Sequence, residues 1–362
     1  MNQRITVSKT TASRLDTVDF TRLGFGLQFS DHMFQMVYED GRWHSPEIIP
    51  YQPIPHDPAN TTLHYGQTVF EGLKAFYAKS GVNVFRPDKH ATRLLNSCER
   101  MCIPTFEKEY FTEAIDLLVQ IDYDWIPRQR GHALYIRPLI YSIGNFLGVK
   151  ESESYRFLIM TSPVASYYEE GLSPVKILAT DKYVRAVKGG TGSAKTAGNY
   201  AASLYAAREA KKMGYTQVLW LDAIHHEYIE EVGTMNIFFL INDELITPPL
   251  SGTILPGVTR DSVLTLAREW GMNVSEREIS IKEVIAAAKE GTLQEMFGTG
   301  TAAVISPVGK LKYRDDEVII NDFKIGPVAQ KFYDEITAIQ YGEKEDTHGW
   351  IHHVEIASEV LA

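Results

Sequence analysis

The 362-residue chain lacks several features that would commit it to a particular class of protein. Its only cysteines are Cys98 and Cys102, so a disulfide framework is excluded and we expect small core residues in a reducing compartment. Lys and Arg total 36 against 46 Asp and Glu, and a net charge of -10 disfavours the basic face that nucleic acid requires. No apolar run approaches the roughly 18 residues of a membrane span. We therefore expect a cytoplasmic globular protein without a nucleic-acid or membrane partner.

The chain has enough apolar residues for two packed domains. Hydrophobic residues make up 44% and charged residues 23%, as in ordinary globular proteins. The length exceeds that of one average domain. A polar stretch that contains tyrosine and glycine, 165–174, is the best linker. We predict an α/β (α+β) architecture with a small domain at 1–164 and a large domain at 175–362.

Hydrophobic periodicity predicts the elements that carry the polar candidate residues. In the first half, strands at Leu73–Ala78 and 82–85 form a hairpin, and two helical patterns follow. In the second half, a helix follows a stretch of small residues, and a glycine-rich loop follows the last predicted strand. The predicted helices cover 88–101, 109–121, 199–213, 258–270 and 281–290, and further strands cover 33–38, 132–140, 156–161, 175–179, 217–222, 228–232, 236–241 and 296–303.

Lys195 is the most informative residue, because it is the only charged group from Gly189 to Ala207. A solvated loop lysine is the default interpretation, but uncharged surroundings lower a lysine pKa and favour a nucleophilic amine. A nucleotide-binding P-loop needs glycine directly before the lysine, and Ala194 stands there instead. The Cβ of that alanine obstructs the backbone curl that turns N–H groups to phosphates. A P-loop NTPase with Asp222 on magnesium therefore remains only a remote alternative.

A lysine that binds pyridoxal phosphate needs four supporting groups elsewhere in the chain. The ring hydroxyl needs a donor, for which Tyr200 at a helix start is suitable. The pyridine nitrogen needs a carboxylate, and strand parity alone does not choose between Glu230 and Glu231. Each group has a plain alternative, such as a solvated strand-end acid, but their occurrence together favours the cofactor. The phosphate and the substrate carboxylate need backbone donors, which the helix start near 258–259 and the glycine-rich stretch 298–302 supply.

Several stretches also match one family in its own order along nearly the whole chain. The chain resembles a branched-chain amino acid aminotransferase of the class-IV, fold-type-IV pyridoxal-phosphate family. The resemblance implies a two-domain enzyme with the cofactor at the domain interface. The matching stretches are 70–76, 134–138, 195–200, 231–236, 255–258 and 297–302.

The resemblance implies roles for individual residues toward the cofactor. Lys195 would attach pyridoxal 5'-phosphate and carry the substrate proton. Glu231 would contact the pyridine nitrogen and Tyr200 the ring hydroxyl. The remaining cofactor contacts would all be made to the phosphate, by Arg93, Val258, Thr259 and Thr301.

The resemblance also implies a substrate pocket shared by two subunits of a homodimer. Arg137 would hold the distal carboxylate of 2-oxoglutarate, and Thr234 with the Ala302 N–H would hold the α-carboxylate. Aromatic and aliphatic walls suit leucine, isoleucine and valine. Pocket residues of the same subunit would be Phe25, Phe70, Tyr135, Arg137, Tyr167, Thr234 and Ala302, and those of the second subunit Tyr65, Leu147 and Val149.

The implied reaction is reversible transamination between branched-chain L-amino acids and 2-oxoglutarate. The rivals within the same fold are D-amino-acid aminotransferase and aminodeoxychorismate lyase, which share the lysine and differ in the pocket. No metal is expected, because His225-His226-Glu227 lacks the spacing of a zinc-binding helix.

Overall fold

A computed structural model of the chain describes residues 4–165 and 172–356. The helices are α1 Thr61–Tyr65, α2 Pro87–Arg100, α3 Lys108–Ile121, α4 Ala197–Lys212, α5 Val258–Glu269, α6 Ile281–Glu290 and α7 Pro327–Gln340, with 3-10 turns at Leu15–Thr17, Tyr123–Trp125 and Asn321–Phe323. The strands are β1 Thr6–Val7, β2 His32–Glu39, β3 Arg42–Pro50, β4 Thr68–Phe70, β5 Leu73–Ala78, β6 Gly81–Phe85, β7 Ala133–Ser142, β8 Tyr155–Val164, β9 Val175–Thr180, β10 Gln217–Leu221, β11 Ile229–Val232, β12 Asn236–Ile241, β13 Glu244–Thr247, β14 Asn273–Glu276, β15 Leu293–Gly300, β16 Val304–Tyr313, β17 Asp316–Ile319 and β18 Ile351–Val354.

The chain divides into two compact units whose boundaries differ from the predicted ones. The first unit comprises Met1–Tyr167, Ala194–Ala197 and Ala338–Ala362, and the second comprises Tyr168–Ser193 and Gly198–Thr337. The assignment of the C-terminal segment to the large domain is therefore corrected. The physical reason is strand pairing, because β18 pairs antiparallel with β6 of the first unit.

The first unit is built on one largely antiparallel sheet. Its strand order is β1-β3-β2-β8-β7-β5-β6-β18, with β4 also paired to β7. Apolar residues at helical spacing on α3, such as Phe111, Ile115 and Leu118, are buried in its core together with Leu94 and Cys98 of α2. Burial of each such side chain stabilises the fold by about 1.5–3 kcal/mol. This packing fixes α2, which carries Arg93 and Ser97.

The second unit has a mixed sheet of order β11-β10-β9-β16-β15-β12-β13-β14, with β17 on β16. Strand β12 is buried along its whole length, since it lies between β13 and β15 and is covered on both faces. Ile237 and Phe239 belong to the core that also holds Val284 of α6. On the other face, Phe238 stacks on Phe297 with ring centroids 5.4 Å apart.

Two sequence expectations about single features have different outcomes. The expected mixed α and β architecture is confirmed. The expectation that both cysteines are core residues is wrong for Cys102, which lies exposed beyond the end of α2 with φ of 55°. Cys98 is buried, and burial raises its thiol pKa to about 12. None of the helices within 4–165 and 172–356 combines the length and apolarity needed to cross a lipid bilayer.

Candidate active site

Lys195 belongs to the first unit because its backbone is anchored there. Its N–H donates to Ser97 Oγ at 2.9 Å, and its carbonyl accepts from the Phe70 N–H at 3.0 Å. Thr196 Oγ1 donates to the Thr68 carbonyl at 2.7 Å. The half-buried side chain extends over the Phe70 ring, with Nζ 4.8 Å from the ring centroid. The lysine is therefore held on rigid elements, as a positioned nucleophile requires.

Arg93 is locked to a fully buried carboxylate in the same unit. Its Nε and Nη2 donate to the two oxygens of Glu71 at 2.7 and 2.9 Å, a bidentate pair. His90 Nδ1 lies 2.7 Å from Glu71 Oε2. Burial raises the pKa of Glu71, but Arg93 and His90 outweigh that effect and hold the pKa well below its usual range. The pKa of His90 is lowered, mainly by burial and further by the charges of Arg93 and Lys195.

Arg137 is surrounded by the aromatic residues that the motifs predicted for the substrate pocket. Its guanidinium carbon lies 4.9 Å from the Phe70 ring centroid and 5.3 Å from that of Tyr135. Its Nη2 donates to the Tyr135 hydroxyl at 3.1 Å. Phe25 packs edge-on against Tyr135 at 4.9 Å. Arg137 Nε is buried and has no hydrogen-bond partner among the described residues, which suits it to a ligand carboxylate.

A glycine makes room for this aromatic group. A Cβ at Gly72 would lie only 1.9 Å from the Tyr135 hydroxyl oxygen. The glycine in the 70–76 stretch is therefore required by the close approach of Tyr135.

The residues predicted for a second subunit's pocket lie on the surface of the first unit. Tyr65, Leu147 and Val149 are exposed at 42%, 68% and 85%. The Tyr65 hydroxyl donates to the Leu147 carbonyl, so these two residues are held together. Tyr167, which was also predicted for the substrate pocket, lies outside the described residues.

Glu231 is a buried carboxylate with a separate donor on each oxygen. It lies on β11 of the second unit and is 2% exposed. Its Oε1 accepts from the Leu255 N–H at 2.6 Å, and its Oε2 lies 2.8 Å from Arg185 Nε. Charge-assisted hydrogen bonds of this kind stabilise the ionised form.

Glu230 and Glu231 line different cavities, as successive strand residues do. Glu231 lines a small cleft with Tyr200 and Thr234, whereas Glu230 lines a cavity of about 310 Å³ with Lys188 and other residues. Burial raises the pKa of Glu230, and its Oε2 has no partner among the described residues. The alternative left open by sequence parity thus has a structural basis, because only Glu231 shares a cleft with the predicted tyrosine.

The helix start at α5 lies close in sequence and hydrogen bonding to Glu231. Gly257 is its N-cap residue and offers no side-chain cap, and Val258 and Thr259 follow as buried residues. Asn236 Nδ2 donates to the Leu255 carbonyl at 2.9 Å. A Cβ at Gly257 would lie 1.9 Å from Asn236 Oδ1, so glycine is required here. A helix N-terminus of this kind favours an anion.

The glycine-rich stretch forms a turn between two strands. Gly300 pairs with Val304, so half-buried Thr301 and Ala302 lie in the connection between β15 and β16. Thr299 pairs with Asn236 across β12 and β15. Thr299 Oγ1 is buried and has no partner among the described residues. Asn236 therefore connects this turn to the segment that precedes α5.

Asp222 closes a turn and has no arrangement suited to magnesium within the described part of the chain. Its carboxylate accepts from the N–H groups of Ile224, His225, Glu227 and Tyr228 at 2.7–3.0 Å. Burial raises its pKa, but these backbone donors outweigh that effect and lower it to about 2. Four internal donors explain this aspartate without a nucleotide, and the P-loop interpretation loses its second element.

Some residues that hold the candidate side chains had no predicted role. Ser97 anchors Lys195 across 98 positions of sequence, and Arg185 contacts Glu231 from another segment. Neither partner is visible in local spacing. Glu71 carried a usable signal, because a charged residue inside the apolar stretch 70–76 indicates a buried ion pair.

Comparison with known proteins identifies the family. Residues 68–311 match amino-transferase class IV. The chain is 54% identical to branched-chain-amino-acid aminotransferase 2 of Bacillus subtilis over 96% of this chain and 97% of that one. It is 52% identical to branched-chain-amino-acid transaminase 1 of the same organism over 97% and 99% of the two chains.

Solved structures show the same likeness in three dimensions. The fold is similar to the branched-chain aminotransferase of the archaeon Thermoproteus uzoniensis solved with norvaline, with a TM-score of 0.74 and 26% identity over 89% and 99% of the chains. It is also similar to the branched-chain amino acid aminotransferase of T.th. solved with pyridoxamine 5'-phosphate, with a TM-score of 0.73 and 26% identity over 92% and 99% of the chains.

These likenesses agree with the motifs and with both clusters of buried residues. The expected two-domain, fold-type-IV architecture is confirmed by the similarity to solved aminotransferases. High identity extends over nearly the whole length, which single motifs do not provide. The chain therefore belongs to the branched-chain-amino-acid aminotransferases of the class-IV family.

Proposed function

We propose that the enzyme catalyses reversible transamination between branched-chain L-amino acids and 2-oxoglutarate. An amino group passes from leucine, isoleucine or valine to 2-oxoglutarate, which gives a branched 2-oxo acid and glutamate. The observation that carries this proposal is Arg137, whose guanidinium lies against Phe70 and Tyr135 with its Nε unpartnered among the described residues. Aromatic walls suit an aliphatic side chain, and one cation among them suits a second carboxylate.

Pyridoxal phosphate is the cofactor, and the donor set of the chain fits it. We assign covalent attachment to Lys195, the pyridine nitrogen to Glu231 and the ring hydroxyl to Tyr200. The buried Thr299 Oγ1, which has no partner in the described residues, supports an anion site beside the turn that contains Thr301. We assign the phosphate to Arg93, Val258, Thr259 and Thr301.

Each assigned residue performs a simple step. When bound, pyridoxal phosphate supplies an electron sink that allows the Cα–H bond of the amino acid to break. Lys195 Nζ accepts that proton and delivers it again later in the transfer. Glu231 holds a proton at the pyridine nitrogen, and its ionised form is stabilised by Arg185 and the Leu255 N–H. Thr234 and the Ala302 N–H bind the α-carboxylate in this proposal.

A substrate screen tests the proposed specificity. We expect steady turnover of L-leucine with 2-oxoglutarate, because both substrates satisfy the pocket described above. D-Alanine and aminodeoxychorismate should give rates lower by roughly 100-fold or more, because neither places an aliphatic L side chain on the aromatic wall. Rates are measured by glutamate formation and, for the lyase reaction, by product absorbance. Preferred turnover of D-alanine or aminodeoxychorismate would assign the enzyme to one of these rival activities.

We also propose a homodimer in which Tyr65, Leu147 and Val149 complete the pocket of the second subunit. The support is their exposure in the first unit, since large apolar side chains exposed together indicate an interface. The hydrogen bond from Tyr65 to the Leu147 carbonyl orders part of this surface in advance. We place the dimer in the cytoplasm, where free Cys98 and Cys102 stay reduced.

Subunit mixing tests this shared pocket. Val149→Asp places a charge on an 85% exposed position, so the subunit should fold but impair the pocket of its partner. A mixture with Lys195→Ala subunits forms hybrid dimers that contain one intact pocket. After dissociation and reassociation of equal amounts, activity should return to on the order of a quarter of wild type. If Val149 acts within its own subunit, or if the enzyme is monomeric, mixing will restore nothing.

A further inference from the structure

Arg185 is buried in the second unit and connects three separate segments. Its Nε lies 2.8 Å from Glu231 Oε2, its Nη1 donates to the Thr253 carbonyl at 2.5 Å and its Nη2 donates to the Gly192 carbonyl at 3.1 Å. The guanidinium thus joins β11 to the segment before α5 and to the loop around Gly192. No sequence motif predicted a role for it.

The junction around Arg185 is closely packed. A Cβ at Gly192 would lie 2.4 Å from the Thr253 carbonyl oxygen, so the two backbones approach as closely as glycine allows. Asn199 exchanges two hydrogen bonds with Thr191, of 2.7 and 2.8 Å, which fix the same loop. The guanidinium therefore has one defined orientation toward the carboxylate.

The pairing controls both the orientation and the charge of Glu231. A buried carboxylate is stable as an anion only when it is paired and hydrogen-bonded. Arg185 and the Leu255 N–H each take one of its oxygens, so the plane of the carboxylate is fixed. An arginine stays protonated throughout the working pH range, so this support does not titrate away.

We propose that Arg185 is a positioning residue that holds Glu231 ionised and correctly oriented at the cleft lined by Tyr200 and Thr234. The proposal rests on the proposed function, in which Glu231 keeps a proton on the pyridine nitrogen. A neighbouring fixed positive charge lowers the proton affinity of a carboxylate. A proton shared by the two groups then stays on the ring nitrogen.

A double-mutant cycle between Arg185 and Glu231 tests this proposal. Arg185→Gln should lower the rate of the leucine half-reaction roughly tenfold in the wild-type background. In the Glu231→Gln background it should change the rate by less than about twofold, because the neutral amide has no charge to hold. The dissociation constant of pyridoxal phosphate from the apo-protein, followed by fluorescence, should show the same coupling. This second measurement does not depend on catalysis.

Arg277→Gln is the matched control. Arg277 also pairs with a carboxylate, Glu283 at 2.6 Å, and donates to a carbonyl, that of Glu278 at 3.0 Å, in the same unit. Its replacement should leave the half-reaction rate and the cofactor dissociation constant unchanged. Arg185→Lys retains the positive charge and undergoes the same cycle if Arg185→Gln does not fold.

Equal effects of the Arg185 substitution in both backgrounds would overturn the proposal, since a purely structural role acts independently of Glu231. A wild-type rate in Glu231→Gln itself would instead contradict the assignment of Glu231, and with it the proposed function of the carboxylate. The two failures are therefore distinguishable. Coupling in both the rate and the cofactor affinity supports the positioning role.

Discussion

Lys195→Ala should lower transamination of leucine by at least on the order of 10⁴-fold, because one amine both attaches the cofactor and transfers the substrate proton. The fold should persist, since the anchoring hydrogen bonds of this segment involve the backbone of Lys195 and the side chains of Ser97 and Thr196. Purified wild-type protein should be yellow, and the variant should lose the lysine-linked absorbance. Rate and visible spectrum are measured on the same preparation.

Borohydride reduction followed by peptide mapping identifies the attachment site independently of rate. Lys74 is the strongest rival, because it is buried in the same unit and burial lowers its pKa to about 8. We expect the label on the peptide that contains Lys195 and none on the peptide that contains Lys74. A label on Lys74, or normal transamination by Lys195→Ala, would remove Lys195 from its assigned role.

Glu231→Gln should lower the rate on the order of 10²–10³-fold, because the amide keeps the shape of the side chain but loses the charge that holds the pyridine proton. The cofactor content should fall much less than the rate, since Lys195 still attaches the cofactor. Half-reaction kinetics with leucine, together with the ratio of cofactor to protein, measure the two effects separately.

Glu230→Gln is the matched control, because the neighbouring glutamate is also buried but lines a different cavity. Its replacement should leave the rate within about twofold of wild type, as expected for a group outside the reaction. A severe loss in Glu230→Gln with a normal rate in Glu231→Gln would exchange the assignments of the two residues.

Local signals predicted those elements that the chain specifies locally. Helix α6 begins and ends at the predicted residues, because Ser280 accepts from the Glu283 N–H as N-cap and Gly291 ends the helix with φ of 76°. The hairpin strand β5 depends only on neighbouring residues and an adjacent turn, and its bounds also agree. Strand β3 was not predicted, since its proline residues and polar ends obscure the alternation of its buried residues.

Long-range partners could not be predicted in the same way. The motifs named Lys195 and Glu231 through family resemblance, but the side chains that hold them, Ser97 and Arg185, come from distant segments. Only the tertiary fold brings such pairs together, since no spacing rule connects position 97 with 195. The exposure of Cys102 had a similar origin, because α2 ends before the helical face can bury it.

The way in which the chain passes repeatedly between its two units has an evolutionary consequence. Four residues around the lysine and the last segment of the chain belong with the first unit, although the second unit occupies the sequence between them. A single genetic crossover therefore cannot exchange either unit intact. Relatives of this enzyme should diversify by substitution within one inherited gene, and chimaeras made by joining two parental halves should retain β6 and β18 from the same parent to keep their pairing.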